Sequence, residues 1–238
     1  GVMWLGDRPI PGSADAVVKL DEAGHTVAFC TNNSSLRLDA YVSKLVDFGV
    51  AERIAVNTIS SATAAGSLIK PGERVLLCAG EGAREAVEDA GGELVWRAEE
   101  ADTVIVGFHR SFNYDAMLVA TRAVLGGARL LATNDDPIYP ASDGPAPGGG
   151  AILAAIVTAS RVQPVIAGKP HETMAALIRT RFGHTGVFVG DSLATDGAMA
   201  ATLGWPFGLV LSGNITESDE PWQAADLAGL AERWLAEQ

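Results

Sequence analysis

Gly186-Val187-Phe188-Val189-Gly190-Asp191-Ser192-Leu193-Ala194-Thr195-Asp196 reads as a short apolar strand, a glycine stop, an acidic loop and the start of an alanine-rich helix. A strand that runs through a loop into a helix is the repeating unit of parallel α/β sheets. Ligands of such sheets bind beyond the carboxyl ends of the strands, which puts Asp191 at the mouth of a site. A carboxylate there suits a hard divalent cation, because Mg²⁺ prefers oxygen ligands and is often held by one or two carboxylates together with substrate phosphate. It would equally serve as the cap of a helix entering at Ala194.

The same rhythm extends outward from this stretch. Upstream, the apolar run Thr26–Cys30 leads into Thr31-Asn32-Asn33-Ser34-Ser35. Leu38, Tyr41, Val42, Leu45 and Val46 then recur at helical spacing until Gly49. Gly1 to Gly12 is rich in glycine and proline and reads as a loop. Ser13 could cap a helix from Ala14 to Ala23 that Gly24 ends, and a further helix from Ser60 to Ile69 ends at Pro71-Gly72.

A middle series comes next. Strands are expected over Val75–Cys78, Leu94–Trp96, Thr103–Phe108 and Leu130–Thr133, with helices near Ala83–Ala90 and from Tyr114 to Leu125. Val165–Ala167, a helix through Met174–Arg181, Val187–Val189 and Pro206–Leu211 resume the first rhythm. The stretch from Trp222 to Trp234 closes the chain as an amphipathic helix. Such a middle block is the pattern of an inserted domain.

Composition limits what the protein does. With 238 residues and 48% hydrophobic side chains, the chain can bury a sizeable core. A formal net charge of −12 argues against nucleic acid and against an anionic membrane surface as partners. Cys30 and Cys78 lie in apolar runs and read as small buried hydrophobes, not as a disulfide framework. No apolar run is long enough to span a bilayer, so a cytoplasmic enzyme is expected.

Three strand ends carry groups suited to phosphate chemistry. Thr31, Asn32 and Asn33 offer a hydroxyl, amides and backbone N–H groups, which together make an anion site or an ordinary N-cap loop. Gly168-Lys169-Pro170 sets a lysine in a proline turn, and Asp191 and Asp196 supply carboxylates. Other signals are weaker. Gly80-Glu81-Gly82 lacks a third glycine, and Gly148-Gly149-Gly150 lacks the lysine–hydroxyl pair of a P-loop. His25, His109, His171 and His184 have no metal-ligand spacing. Trp96, Trp205, Trp222 and Trp234 read as core or interface residues.

Taken in order, Cys30-Thr31-Asn32-Asn33-Ser34, Gly168-Lys169-Pro170 and Gly190-Asp191 through Thr195-Asp196 resemble motifs two, three and four of the haloacid dehalogenase superfamily. Gly1-Val2-Met3-Trp4-Leu5-Gly6 with Pro9-Ile10-Pro11-Gly12 looks like the segment just after that family's first motif. Ala132-Thr133-Asn134-Asp135 and Pro147-Gly148-Gly149-Gly150 are similar to the class II, large-cap, NagD-like branch. That branch includes p-nitrophenyl, phosphoglycolate, pyridoxal phosphate and glycerol phosphate phosphatases.

The resemblance implies an α/β fold: a Rossmann-like parallel-sheet core over residues 1–72 and 164–238, with an inserted α/β cap over residues 73–163. It implies a Mg²⁺-dependent phosphatase acting on small phosphomonoesters through an aspartyl-phosphate. Thr31, Asn32 and Asn33 would hold the phosphoryl group, Lys169 would neutralise its charge, Asp191 would bind Mg²⁺, and Asp196 would order the acidic loop. Tyr139, between Pro137 and Pro140, falls on a cap loop and is expected to select substrate. A homodimer through the cap is left open.

Three departures bear on this reading. Ser192 stands where relatives often carry arginine, and Gly197 where they carry a larger apolar residue; both would loosen the acidic loop. The family's nucleophile lies in Asp-x-Asp-Gly and this chain starts at the glycine, so both aspartates are expected just upstream of Gly1. The competing expectation is a phosphate-binding protein without the nucleophile.

Overall fold

The computed structural model describes residues 1–141, 144–213 and 215–237. In chain order it runs β1 (Trp4–Leu5), β2 (Arg8–Pro9), α1 (Ser13–Glu22), β3 (Phe29–Thr31), α2 (Leu38–Asp47), α3 (Glu52–Ala55), β4 (Thr58–Ser60) and α4 (Ser61–Gly66). Then come β5 (Arg74–Cys78), α5 (Glu81–Asp89), β6 (Glu93–Val95), β7 (Thr103–Val106), α6 (Tyr114–Leu125), β8 (Arg129–Ala132), β9 (Ile138–Ala141), β10 (Gly144–Pro147) and α7 (Gly149–Ser160). The last part is β11 (Val165–Ile166), α8 (Glu172–Phe182), β12 (Phe188–Gly190), α9 (Ala198–Leu203), β13 (Phe207–Val210), β14 (Gln223–Ala224) and α10 (Leu227–Ala236). Strand β3 pairs with β4.

Two compact units result. The first comprises residues 1–29, 39–58 and 169–238, the second residues 30–38 and 59–168. In the first, β12, β13 and β14 form a parallel sheet. Its core gathers Met3, Val17, Leu45, Val50, Ile54 and Leu227 from both ends of the sequence. In the second, five parallel strands lie in the order β11-β8-β7-β5-β6. Every residue of β7 is buried, as expected of a central parallel strand covered on both faces. Leu76, Val106, Val124, Leu130, Leu153 and Ile156 form the core around it.

The α/β class expected from the sequence is what the chain adopts. Local details differ. Gly1 to Gly12 contains the β1/β2 hairpin, with Trp4 opposite Pro9 and Leu5 opposite Arg8. Strands of two residues carry no alternation to read, and the turn depends on Gly6, whose φ is +60°. Helix α1 begins at Ser13 with Gly12 as its cap, and the Ser13 hydroxyl donates instead to the Val2 carbonyl. Cys78 is buried, whereas Cys30 is only half-buried. Trp96 is 74% exposed rather than part of a core. Among the described residues, no helix is long and apolar enough to cross a membrane.

The starting edge of the five-stranded sheet is tied by a charged cluster. Glu73 accepts from Thr103 Oγ1, Arg129 Nη2 and the Lys70 amide. Burial pushes its carboxyl up, but these bonds outweigh burial and hold it below the ordinary carboxylate value. A lowered folded-state value means that the stabilisation is fully present above the ordinary carboxylate range and is lost as pH falls through the folded-state value. Glu73→Gln should therefore cost about 1–3 kcal/mol near pH 7. In urea unfolding at about pH 2, the gap between variant and parent should close.

Candidate active site

In the first unit, β12 delivers Gly190 and Asp191 into a π turn over Leu193–Gly197, closed by the Gly197 amide donating to the Ser192 carbonyl at 3.0 Å. The side-chain cap of this turn is Ser192, whose Oγ accepts from the Thr195 amide at 3.3 Å. Asp191 does not cap it. The turn brings the Asp196 carboxylate back over its own start. Asp196 Oδ2 accepts from the amides of Asp191 and Ser192, both at 3.2 Å. Its other oxygen, Oδ1, accepts from Lys169 Nζ at 2.7 Å.

All three residues of this group are nearly enclosed, with exposures of 9% for Lys169, 9% for Asp191 and 5% for Asp196. Lys169 also lies over the Phe188 ring, 5.7 Å from its centroid. The Lys169–Pro170 peptide is cis, and the Thr202 hydroxyl donates to the Pro170 carbonyl at 2.9 Å. Asp191 Oδ1 stands 3.3 Å from the Gly1 amino nitrogen. A buried lysine needs a partner, and Asp196 supplies it. One carboxylate thus holds a cation with one oxygen and shapes an acidic loop with the other.

The remaining expected residues belong to the second unit. Thr31 Oγ1 accepts from the Asn33 amide at 3.1 Å. Asn33 Oδ1 accepts from the Ser35 amide and hydroxyl at 3.0 and 2.7 Å. Asn32 Nδ2 donates to Asp136 Oδ2 at 2.9 Å. The Asn32 carbonyl accepts from Ser61 Oγ at 2.6 Å and Asn134 Nδ2 at 2.7 Å. Tyr139 stacks on Phe108 with ring centroids 5.0 Å apart. The structure therefore gathers Lys169, Asp191 and Asp196 in one unit and Thr31, Asn32, Asn33 and Tyr139 in the other. Sequence reasoning missed Ser61, Phe108 and Asp136. Thr133 through Asp136 is a run of short polar residues after an apolar strand, the same signal that marks Thr31–Asn33.

Cys78 takes no part in this chemistry. Burial pushes its thiol up to about 12, and its Sγ lies 3.6 Å from His109 Nε2. Burial also lowers His109 below the ordinary histidine value. Among the described residues, no three His, Cys, Asp or Glu side chains form a metal-binding group.

Comparison with known proteins identifies the family. Residues 1–93 match the family model of haloacid dehalogenase-like hydrolases, and residues 166–230 match one described as HAD-hydrolase-like. A 5'-nucleotidase, YutF, of Bacillus subtilis is 35% identical over 82% of this chain and 78% of its own length. The solved p-nitrophenyl phosphatase of Archaeoglobus fulgidus superposes with a TM-score of 0.90 at 31% identity, covering 98% of this chain and 95% of its own. The glycerol phosphate phosphatase of Mycobacterium tuberculosis, solved in complex with magnesium, gives 0.85 at 29%, covering 96% and 73%. The chain belongs to the haloacid dehalogenase-like hydrolases. Within that family it is a phosphatase of the NagD-like, large-cap branch.

Two glycines of the acidic loop differ in what they permit. A Cβ on Gly190 would run into the Asp196 carboxylate. At Gly197 the backbone is helical, with φ −61° and ψ −45°, and a Cβ would make ordinary contact with Phe207 at 3.5 Å. Gly190→Ala should destabilise by about 1–3 kcal/mol through overpacking. Gly197→Ala should stabilise by about 0.4–1 kcal/mol by restricting the unfolded chain. Thermal or urea unfolding of the pair checks both signs.

Proposed function

We propose that this phosphatase hydrolyses small phosphomonoesters with Mg²⁺, through an aspartyl-phosphate whose nucleophile is expected ahead of Gly1. The observation that carries the metal assignment is the Asp191 carboxylate, nearly enclosed, beside a loop that Asp196 holds in shape. One carboxylate fits Mg²⁺, which completes its shell with water and substrate phosphate. When bound, the ion would screen charge on the phosphoryl oxygens.

This chain's residues are read in the following roles. Thr31, Asn32 and Asn33 hold the phosphoryl group by hydroxyl and amide donors. Lys169 offsets negative charge that concentrates in the transition state, fixed at the end of its reach by Asp196. The relatives' names support a small phosphorylated substrate of the nucleotide, sugar phosphate or glycerol phosphate kind. Residues 1–72 and 164–238 serve as the catalytic core in this reading, and residues 73–163 as the cap.

In the full chain, Asp191→Asn should remove most phosphate release and abolish its dependence on added Mg²⁺. Lys169→Ala should slow turnover by at least about 100-fold. Full activity in either variant, or after chelation, would refute the assignment.

Tyr139 is read as the substrate selector. Its ring is held by the Phe108 stack, so little entropy is lost when it meets a leaving group. Tyr139→Ala should reorder kcat/KM across a panel of phosphomonoesters while leaving unfolding nearly unchanged. Slowing every substrate by one common factor would make Tyr139 a packing residue.

A further inference from the structure

Two side chains, Ser61 and Asn134, converge on one peptide of the Thr31–Asn33 loop, and Asp136 ties the Asn32 side chain beside it. The Asn32 carbonyl accepts from both Ser61 Oγ and Asn134 Nδ2, at 2.6 and 2.7 Å. A carbonyl oxygen has two lone pairs, so these two bonds fill it. Asn134 is itself 4% exposed, and its Oδ1 accepts from the Asp136 amide at 3.2 Å. Asp136 then accepts from the Asn32 side chain at 2.9 Å. The bonds close a ring: Asn134 to the Asn32 backbone, Asp136 to Asn134, and the Asn32 side chain to Asp136.

The ring has a consequence at Thr31. A peptide is planar, so locking the Asn32 carbonyl also fixes the direction of the next N–H. That N–H belongs to Asn33 and donates to Thr31 Oγ1 at 3.1 Å. A hydroxyl has one proton to give and two lone pairs to receive. With the backbone donating to its oxygen, the Thr31 proton is left to point at an acceptor. An anion, which offers only acceptors, is the matching ligand.

We propose that Ser61, Asn134 and Asp136 are positioning residues for phosphoryl recognition, which hold the Asn32–Asn33 peptide so that Thr31 presents its hydroxyl as a donor. The proposal rests on the assignment of Thr31–Asn33 to the phosphoryl group. It gives a task to the polar run after β8 and to the first residue of α4, neither of which touches the phosphate in this scheme.

The test uses inorganic phosphate as the probe, with binding to the full chain measured by calorimetry in the presence of Mg²⁺. Asn134→Ala and Ser61→Ala should each weaken phosphate binding about tenfold, the loss expected when a hydrogen bond of this kind is removed. Thr31→Val should weaken it at least as much. The deciding comparison is the double variant Thr31→Val with Asn134→Ala, which should bind no more weakly than Thr31→Val alone, because the ring acts only through that hydroxyl. Losses that multiply in the double variant would overturn the proposal, as would single variants that bind like the parent. If Asn134→Ala does not fold, Ser61→Ala paired with Thr31→Val gives the same comparison. A parent that fails to bind phosphate would instead overturn the assignment of the Thr31–Asn33 loop, and the proposal with it.

Discussion

The pair Lys169–Asp196 is the fixed point of the first unit. A nitrogen–oxygen distance of 2.7 Å between side chains 11% and 7% exposed describes an ion pair largely removed from water. Such pairs add little net stability, because desolvation consumes most of the attraction, but breaking one is costly, about 3–5 kcal/mol. What it supplies is position. Asp196 Oδ1 is committed to the lysine, which leaves Oδ2 to take the Asp191 and Ser192 amides. The direction of the acidic loop and the reach of the cation follow from one side chain.

The π turn makes this geometry available. An ordinary helical start at Ala194 would bring residues three and four apart onto one face. Asp196 lies five residues after Asp191, and the wider turn closed by Gly197 onto Ser192 swings it back to the strand end. Gly190 provides the clearance, since its missing side chain is where the Asp196 carboxylate rests. Ser192, one of the departures from the family pattern, contributes both its amide and its hydroxyl to the turn, so its role here is to hold the loop.

The α/β class could be read from the sequence because apolar runs alternate with helical spacing over most of the chain. Tyr114–Leu125 illustrates this: Asn113 caps it, and its buried Ala120, Ala123 and Val124 pack with residues of β5 and β7. The chemistry at strand ends was legible for the same reason, since short polar residues follow each apolar run. Contacts made by backbone were not legible. The β9/β10 hairpin contains prolines at 140, 145 and 147, which read as loop in isolation. The glycine triplet masks the start of α7, and alanines dilute its pattern, although its buried Ile152, Leu153 and Ile156 recur at helical spacing. Ser61 and Asn134 act on a peptide oxygen far away in sequence, and no local pattern encodes such a partner.

The triplet also sets how this molecule can diversify. A side chain at Gly148 would strike the Asp136 carbonyl, one at Gly150 the Asp135 carbonyl, and one at Gly149 would crowd Asn134 Oδ1 at 3.0 Å. The Gly150 amide donates to the Asp136 carbonyl, and the Gly148 amide to the Pro137 carbonyl, both at 2.9 Å. The start of α7 and the segment carrying Asn134, Asp136 and Tyr139 are therefore complementary surfaces made of main chain. Neither tolerates exchange without the other. A loop transplanted from a relative to alter selectivity has to travel as a cassette from Thr133 through Gly150, so that its own glycines accompany the backbone they were shaped to meet.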